Sequence, residues 1–291
     1  MATIDRQATT LALAHALSAA ERGLAVIPLS RTKLPALRSP HRDDPDPGRP
    51  PCHGECGHFG HGVHDASADP ARVRALFAAA PRATGYGIAC GLPPYHLIGV
   101  DLDTKTGTDA PAALRELARR HLFALPATVV VLTPSGGRHL WLSGPADVVV
   151  PNSAGRLAPG IDIRGAGGYL VGPGSRTEHG AYAVAPGTAH LAPAPCPPAL
   201  LRLLLPPPHP SGHPAHPAGD RSGGGLVRFV LGAHEGQRNA RLFWAACRAY
   251  ESGIGPDLVA PLTAAATTTG LTEREARATI ASAARRTGHH P

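Results

Sequence analysis

The chain has 291 residues, enough for one large domain or for a main domain with a smaller one beside it. Its formal net charge of +7 favours anionic partners, with nucleic acid first. No apolar run reaches roughly 18 residues and the N-terminus lacks the pattern of a secretion signal, so we expect a cytoplasmic protein with no membrane partner. The five cysteines, an odd number, argue against a disulfide framework.

The first third of the chain predicts two helices and three strands. Residues 4–22 carry helix formers with an apolar stripe, and Gly23 ends the helix. Asp69 and Pro70 predict the start of a second helix, because Asp caps a helix N-terminus and Pro fits its first turn. Residues 31–68, rich in Pro, His and Asp, are predicted to be irregular. The strands are predicted at 24–29, 84–91 and 97–103.

The middle of the chain predicts a hairpin and several short strands. Residues 127–133 and 138–143 flank the turn PSGG, which is typical of a β-hairpin. Helices are predicted at 109–122 and 197–205, and short strands within 160–165, 167–175 and 181–187. Because hairpins are interleaved with helices, we expect an α+β fold with a mixed or antiparallel sheet rather than a doubly wound one.

The C-terminal part predicts a second domain. Residues 206–225 contain almost nothing that could be buried and are predicted to be a Pro/Gly/His-rich linker. Three helical segments follow, so residues 226–291 are predicted to form a small all-α module. Residues 1–205 would then form the main domain.

Carboxylates at predicted strand ends are the first sign of chemistry. In LIGVDLD, Asp101 and Asp103 point to the same face because strand residues two apart do so. Two neighbouring carboxylates either bind a cation between them or raise the pKa of one of the two. The alternative is a strand that ends in a solvated loop, where Asp is common. Asp162 stands in another predicted strand, GIDIRG, and the metal hypothesis requires it to lie beside the other two aspartates.

The turn and strand TPSGGRHLW supply groups that suit phosphates. Hydroxyl, amide and cationic donors there complement a triphosphate, whose transfer depends mainly on positioning and charge neutralisation. Arg164 adds a further cation two residues after Asp162. The candidate donors are Ser135, Gly136, Gly137, Arg138 and His139.

The succession GVDLD, TPSGGRHLW and GIDIRGAGGYLVGPGS, preceded by HDASADPARVRALFAAAPRATGYGIACG, resembles the bifunctional primase/polymerase (prim-pol) domain. This family is a branch of the archaeo-eukaryotic primase superfamily found on plasmids, phages and integrated elements. The resemblance covers roughly residues 10 to 205, with the three motifs in order. It implies a catalytic core related to the RNA-recognition-motif fold.

The resemblance also implies roles for individual residues. Asp101, Asp103 and Asp162 match the family's acidic ligands for two Mg²⁺ or Mn²⁺ ions, and Asp103 stands where many relatives have Glu. His139 matches the histidine that contacts the nucleotide's phosphates, with Ser135 in the preceding turn. The implied activity is template-dependent synthesis and extension of primers from nucleoside triphosphates on single-stranded DNA.

Two weaker matches flank these motifs. Lys33 precedes Leu-Pro where relatives often have Lys-x-Pro, so it is either near the template or nucleotide or an ordinary surface lysine. Gly236, Arg238 and Asn239 resemble the G-x-R-N start of a helical module that often follows primase domains. The sequence contains no Walker motif, so an unwinding helicase is expected to be a separate protein.

Between the first two helices, the run PCHGECGHFGHGVHD favours zinc. Cys52, Cys56 and His61 have spacings that could close a tetrahedral site, with the fourth ligand open among His41, His58 and His64. The alternative is a histidine-rich flexible loop with incidental thiols. The other cysteines, at 90, 196 and 247, resemble isolated small apolar residues.

Two other functions remain compatible with the sequence. One is a DNA-binding replication-initiation module with little catalysis. The other is a metal-dependent nuclease, or a nucleotidyltransferase that works without a template and uses the same carboxylates. Single-stranded DNA, labelled nucleotides and Mn²⁺ or Mg²⁺ would separate the three.

Overall fold

A computed structural model describes residues 2–42, 52–104, 107, 109–206, 223–233 and 238–287, apart from the side chains of residues 2–6 and 286. The chain divides into two compact units, Met1–Pro206 and Pro207–Pro291. The fold is mixed α+β with antiparallel sheets and C-terminal helices, which confirms the predicted class. Among the described helices, none combines the length and apolar character needed to cross a membrane.

The described residues of the first unit form four α-helices and a short 3-10 helix. Asp69 accepts hydrogen bonds from the backbone N–H groups of Ala71 and Arg72, as its predicted capping role requires. Asp109 caps the third helix in the same way, through the N–H of Ala112. The helices are α1 (Ala2–Glu21), α2 (Pro70–Ala79), α3 (Ala110–Arg120) and α4 (Pro198–Leu204), with the 3-10 helix at Gly62–Asp65.

Eleven short strands form the sheets in the described part of this unit. They are β1 (Val26–Leu29), β2 (Gly85–Ala89), β3 (Ile98–Leu102), β4 (Val130–Leu132), β5 (Arg138–Ser143), β6 (Ile161–Arg164), β7 (Tyr169–Val171), β8 (Arg176–Thr177), β9 (Gly180–Ala181), β10 (Ala183–Val184) and β11 (Ala194–Pro195). One sheet has the order β1-β2-β7. The larger has the order β10-β4-β5-β3-β6, with β11 parallel to β5, and β8 pairs with β9.

Strand β3 lies between β5 and β6 in the larger sheet and separates two hydrophobic clusters. Its residues Ile98, Val100 and Leu102 point to one face and pack with residues of α3 and α4. Gly99 points to the other face, where a Cβ would lie 2.6 Å from the side chain of Leu170 on β7. The absence of that Cβ lets the two sheets approach closely beside the carboxylate that follows on the same face.

The second unit has four described helices, whereas the sequence predicted three. They are α5 (Gly224–Leu231), α6 (Arg238–Glu251), α7 (Gly255–Thr268) and α8 (Glu273–Arg286). Helix α5 begins at Gly224, inside the predicted linker 206–225, and its Val230 is fully buried. Residues 207–222 of that predicted linker lie outside the described residues. Gly236 of the G-x-R-N match also lies outside them.

Candidate active site

Three side chains predicted from the sequence lie in one row across the larger sheet. Asp101 on β3 has His139 on β5 as its partner on one side and Asp162 on β6 on the other. Directly opposed residues in neighbouring strands point to the same face of the sheet. The row therefore joins two carboxylates and an imidazole that are far apart in the chain.

Asp103 extends the acidic row just beyond the end of β3. Its backbone N–H donates a 2.8 Å hydrogen bond to the carbonyl of Gly160, so the chain here is still held beside the start of β6. Burial is the main cause of the raised pKa of Asp101, and the negative charge of Asp103 adds to that shift. All three predicted carboxylates thus belong to one electrostatic cluster.

Arg164 bridges two members of the row. Its Nη2 lies 3.2 Å from Asp162 Oδ2 and 3.8 Å from Asp101 Oδ2. The other oxygen of Asp162 accepts a 3.0 Å hydrogen bond from the backbone N–H of Gly155. A guanidinium between two carboxylates shows that the row holds a cation in this conformation, and hard carboxylate oxygens are the ligands that Mg²⁺ and Mn²⁺ prefer.

Asp101 has an unusual acidity for an aspartate. Burial raises its pKa to about 6, and the charges of Asp162 and Asp103 act in the same direction, while those of Arg164 and Lys33 oppose the shift. Its side chain is nevertheless 23% exposed, so a ligand can reach it. The group is therefore near its protonation midpoint close to neutral pH and gains from any further cation.

His139 is held as a neutral imidazole. Its Nε2 lies 3.5 Å from Asp101 Oδ1, and burial lowers its pKa to about 4, with the charges of Arg164 and Lys33 acting in the same direction. Among the described residues, its buried Nδ1 has no hydrogen-bond partner. A neutral ring at this place can donate one hydrogen bond without adding charge.

The glycine turn before β5 lies against the end of β3. The Thr104 hydroxyl donates a 3.1 Å hydrogen bond to the carbonyl of Ser135, and a Cβ on Gly137 would lie 2.5 Å from the carbonyl oxygen of Leu102. Gly136 adopts a φ of +86°, which favours glycine. The predicted donor turn and the predicted acidic strand end are therefore neighbours.

Arg138 is not brought into the row. It is the partner of Leu102 across β3 and β5, and it precedes His139 on the strand, so it points to the opposite face. The side chain is exposed there. Of the predicted nucleotide contacts, this is the one that the geometry separates from the carboxylates.

Lys33 and Tyr182 complete the surroundings of the row. Lys33 acts electrostatically on Asp101 and His139, and its backbone carbonyl accepts a 2.9 Å hydrogen bond from the Tyr169 hydroxyl. The ring of Tyr182 lies 5.5 Å from that of His139, and its pKa is raised to about 12 by burial and then by Asp101 and Asp103. Sequence reasoning missed Tyr182, since one aromatic residue in AYAV carries no distinguishing pattern.

The predicted zinc ligands lie in a second cluster, in the chain between β1 and α2. His58 is exposed, and His64 stacks on His53 with ring centroids 4.0 Å apart. The group whose ligand atoms all lie within 4.8 Å of one another consists of His41, Cys52, Cys56 and His61.

Comparison with known proteins gives one family match. The family model for bifunctional DNA primase/polymerase, N-terminal (Prim-Pol), matches residues 16–199, which is more than half of the chain and includes every member of the acidic row. No curated protein sequence matches the chain.

Proposed function

The chain belongs to the bifunctional DNA primase/polymerase family, a family of nucleotidyltransferases that act on DNA with divalent metals, and from this premise we propose that it copies single-stranded DNA. It would synthesise primers and extend them from nucleoside triphosphates. The family resemblance favours a role in replicating a plasmid, phage or integrated element, with unwinding left to a separate helicase.

The observation that carries this proposal is the row of Asp162, Asp101 and His139 on three adjacent strands. Asp101, Asp103 and Asp162 would hold two Mg²⁺ or Mn²⁺ ions. In this structure, the guanidinium of Arg164 provides the positive charge between Asp101 and Asp162. When bound, the ions would activate the attacking 3′-hydroxyl and neutralise charge on the leaving pyrophosphate.

The residues around the carboxylates support a role in holding the triphosphate. His139, as a neutral donor, and the backbone N–H groups of Gly136 and Gly137 would bind phosphate oxygens, with the Ser135 hydroxyl beside them. Arg164 and Lys33 place two cations where they already act on Asp101. The net charge of +7 would help the protein follow the template backbone.

The test is incorporation of labelled nucleotides on homopolymeric single-stranded DNA with Mg²⁺ or Mn²⁺. We expect products made only from the complementary nucleotide by the unmodified protein, and none from Asp162→Asn. Asp147, an exposed carboxylate, provides the control Asp147→Asn, which should keep full activity.

Other results would favour other functions. Shortening of the DNA would indicate a nuclease, and extension that ignores the template would indicate a terminal transferase. DNA binding with no product under any condition would indicate an initiation module. Full incorporation by Asp162→Asn would contradict the proposed use of the acidic row.

A further inference from the structure

A second cluster of chemically reactive side chains lies outside the acidic row, among the described residues between β1 and α2. We propose that this cluster binds one structural zinc ion. Its four donors come from two short segments, and their ligand atoms lie within 4.8 Å of one another. The ligands are His41, Cys52, Cys56 and His61.

The donor set fits zinc better than the ions proposed for the acidic row. Two thiolates and two imidazoles are typical of closed, tetrahedral zinc sites, whereas Mg²⁺ and Mn²⁺ prefer oxygen ligands. Tetrahedral bonds to zinc would put a sulfur and a nitrogen about 3.6 Å apart. Cys56 Sγ and His61 Nε2 are 3.4 Å apart. Both cysteines are free thiols rather than a disulfide.

A buried carboxylate, that of Asp65, lies beside the ring nitrogen of His61 that faces away from Cys56. Asp65 is only 2% exposed, and its Oδ2 accepts hydrogen bonds from the backbone N–H groups of Gly60 (2.7 Å) and His61 (2.8 Å). Its Oδ1 lies 3.5 Å from His61 Nδ1, and neither of these two buried atoms has a hydrogen-bond partner in the described part of the chain. A carboxylate at the outer nitrogen of a zinc-bound histidine orients the ring and strengthens the ligand.

The loop backbone is shaped to bring the two segments together. Gly60 has a φ of +118°, and a Cβ there would lie 2.0 Å from the carbonyl oxygen of Arg38, so only glycine allows this approach. Pro35 and Leu37 from one segment, and Gly62 and Asp65 from the other, line a small cavity against β1 and α2. A zinc ion bound by His41, three residues after Arg38, would join the first segment to the second.

The structure also selects the fourth ligand, which the sequence left open. His58 points to solvent, and the ring of His64 is stacked on His53. The His41 ring instead lies 5.4 Å from that of His61, centroid to centroid. The segment that the zinc ion would hold begins just after Lys33. The ion would therefore also limit the movement of Lys33, whose charge acts on Asp101.

Elemental analysis of the full chain, purified without chelators, tests the proposal directly. We expect about one zinc per chain in the unmodified protein, and a large loss of zinc in Cys56→Ser and in His41→Ala. Cys247→Ser and His58→Ala are matched controls and should retain the metal. Unmodified protein that neither contains zinc nor takes it up on reconstitution would overturn the proposal, as would retention by Cys56→Ser and His41→Ala together.

Cobalt substitution gives a test that does not depend on a variant folding. Replacement of zinc by Co²⁺ in the unmodified protein should give thiolate charge-transfer absorption and the strong visible bands of a tetrahedral ion. Weak bands of an octahedral ion without charge transfer would refute the assigned ligands. His58→Ala should leave the spectrum unchanged.

Thiol alkylation provides a third measurement. Chelation of the metal should increase the number of readily alkylated cysteines by two, because Cys52 and Cys56 lose their protection. Cys90 and Cys196 should stay slow in both states, since burial raises their thiol pKa values to about 12 and about 11. No increase on chelation would count against the site.

Discussion

Asp101 on β3 and Asp162 on β6 are direct cross-strand partners in the larger sheet. Two acidic side chains in this relation repel each other unless a cation lies between them. Arg164 supplies that cation here, with Nη2 within 3.8 Å of an oxygen of each carboxylate. The sheet therefore contains two mutually repelling carboxylates at the place where the proposed reaction requires ligands for metal ions.

Asp101→Asn should make the protein more stable and yet inactive. Because burial raises the pKa of Asp101 to about 6, the stability that this group provides is full below its usual pKa and is lost as pH rises through about 6. At about pH 8 the neutral amide should raise the free energy of unfolding by on the order of 2 kcal/mol. Nucleotide incorporation should fall by about 100-fold or more.

Denaturant unfolding at acidic and alkaline pH, together with primer-extension rates, checks this pair of effects. Asp147→Asn removes an exposed carboxylate and should change neither quantity. A clear loss of stability in Asp101→Asn at alkaline pH would mean that the carboxylate is a structural ion-pair partner instead.

His139 should stay uncharged across the working range of the protein. Its pKa is lowered to about 4, first by burial and then by the charges of Arg164 and Lys33. NMR titration of histidine-labelled protein, with His139→Asn to assign the signal, should show no protonation of this ring at or above about pH 5. We expect the variant to raise the KM for nucleotide by about 10-fold, and a midpoint near the ordinary histidine value would contradict the neutral-donor role.

The positions of the candidate residues on their strands could be predicted from the sequence because the signals are local. GVDLD and GIDIRG each combine strand alternation with a carboxylate at a fixed position, and the hairpin turn PSGG fixes where β5 begins. The order β5-β3-β6 was not available from the sequence, since strand partners far apart in the chain are chosen by packing of the whole sheet. Arg138 is an example. Its neighbours in sequence suggested a phosphate contact, but its side chain lies on the face of β5 opposite to His139 and the carboxylates.

Two structural features were not predicted, because both depend on tertiary packing. Tyr182 reaches His139 through a tertiary contact, which no pattern within AYAV encodes. Helix α5 begins with glycines that follow a Pro/Gly/His-rich stretch, so composition placed its start inside a linker. The burial of Val230 and the contacts of Leu226 and Val227 with the helical core explain why it is helical nonetheless.

Tyr182 should act as a positioning residue through its ring rather than its hydroxyl. The ring packs at a 40° angle on His139 and is largely buried. Tyr182→Phe keeps this contact and should leave incorporation within about 3-fold of normal, whereas Tyr182→Ala should raise the KM for nucleotide through a displaced imidazole. Equal losses in the two variants would instead assign the function to the hydroxyl group beside Asp101 and Asp103.

The two glycines of the turn before β5 should differ in their tolerance of alanine. A Cβ on Gly137 would meet the carbonyl oxygen of Leu102 at 2.5 Å, so Gly137→Ala must push the turn away from β3 and should cost more than about 2 kcal/mol. At Gly136 the nearest atom would be 3.6 Å away, and only the positive φ opposes substitution, at about 1 kcal/mol. Thermal unfolding of the two single variants gives the comparison, and the reverse order would show that the turn is not held against Leu102.

The C-terminal unit offers a test of the proposed division into two domains joined by a linker. Thr272 caps α8 in a reciprocal arrangement: its hydroxyl oxygen accepts a hydrogen bond from the Glu275 N–H, and Glu275 accepts one from the Thr272 N–H. Thr272→Ala should therefore lower the stability of this unit by about 1 kcal/mol. Thr268→Ala, a change on the exposed surface of α7, is the control and should not destabilise it.

If the two units unfold independently, calorimetry should show two transitions, and Thr272→Ala should move only one of them. The affected transition should be the one that Asp101→Asn leaves unchanged, because α8 packs in a core made of the helices of its own unit. A single transition that moves as a whole in both variants would show that the chain unfolds as one cooperative body, and the proposed domain boundary would then be wrong.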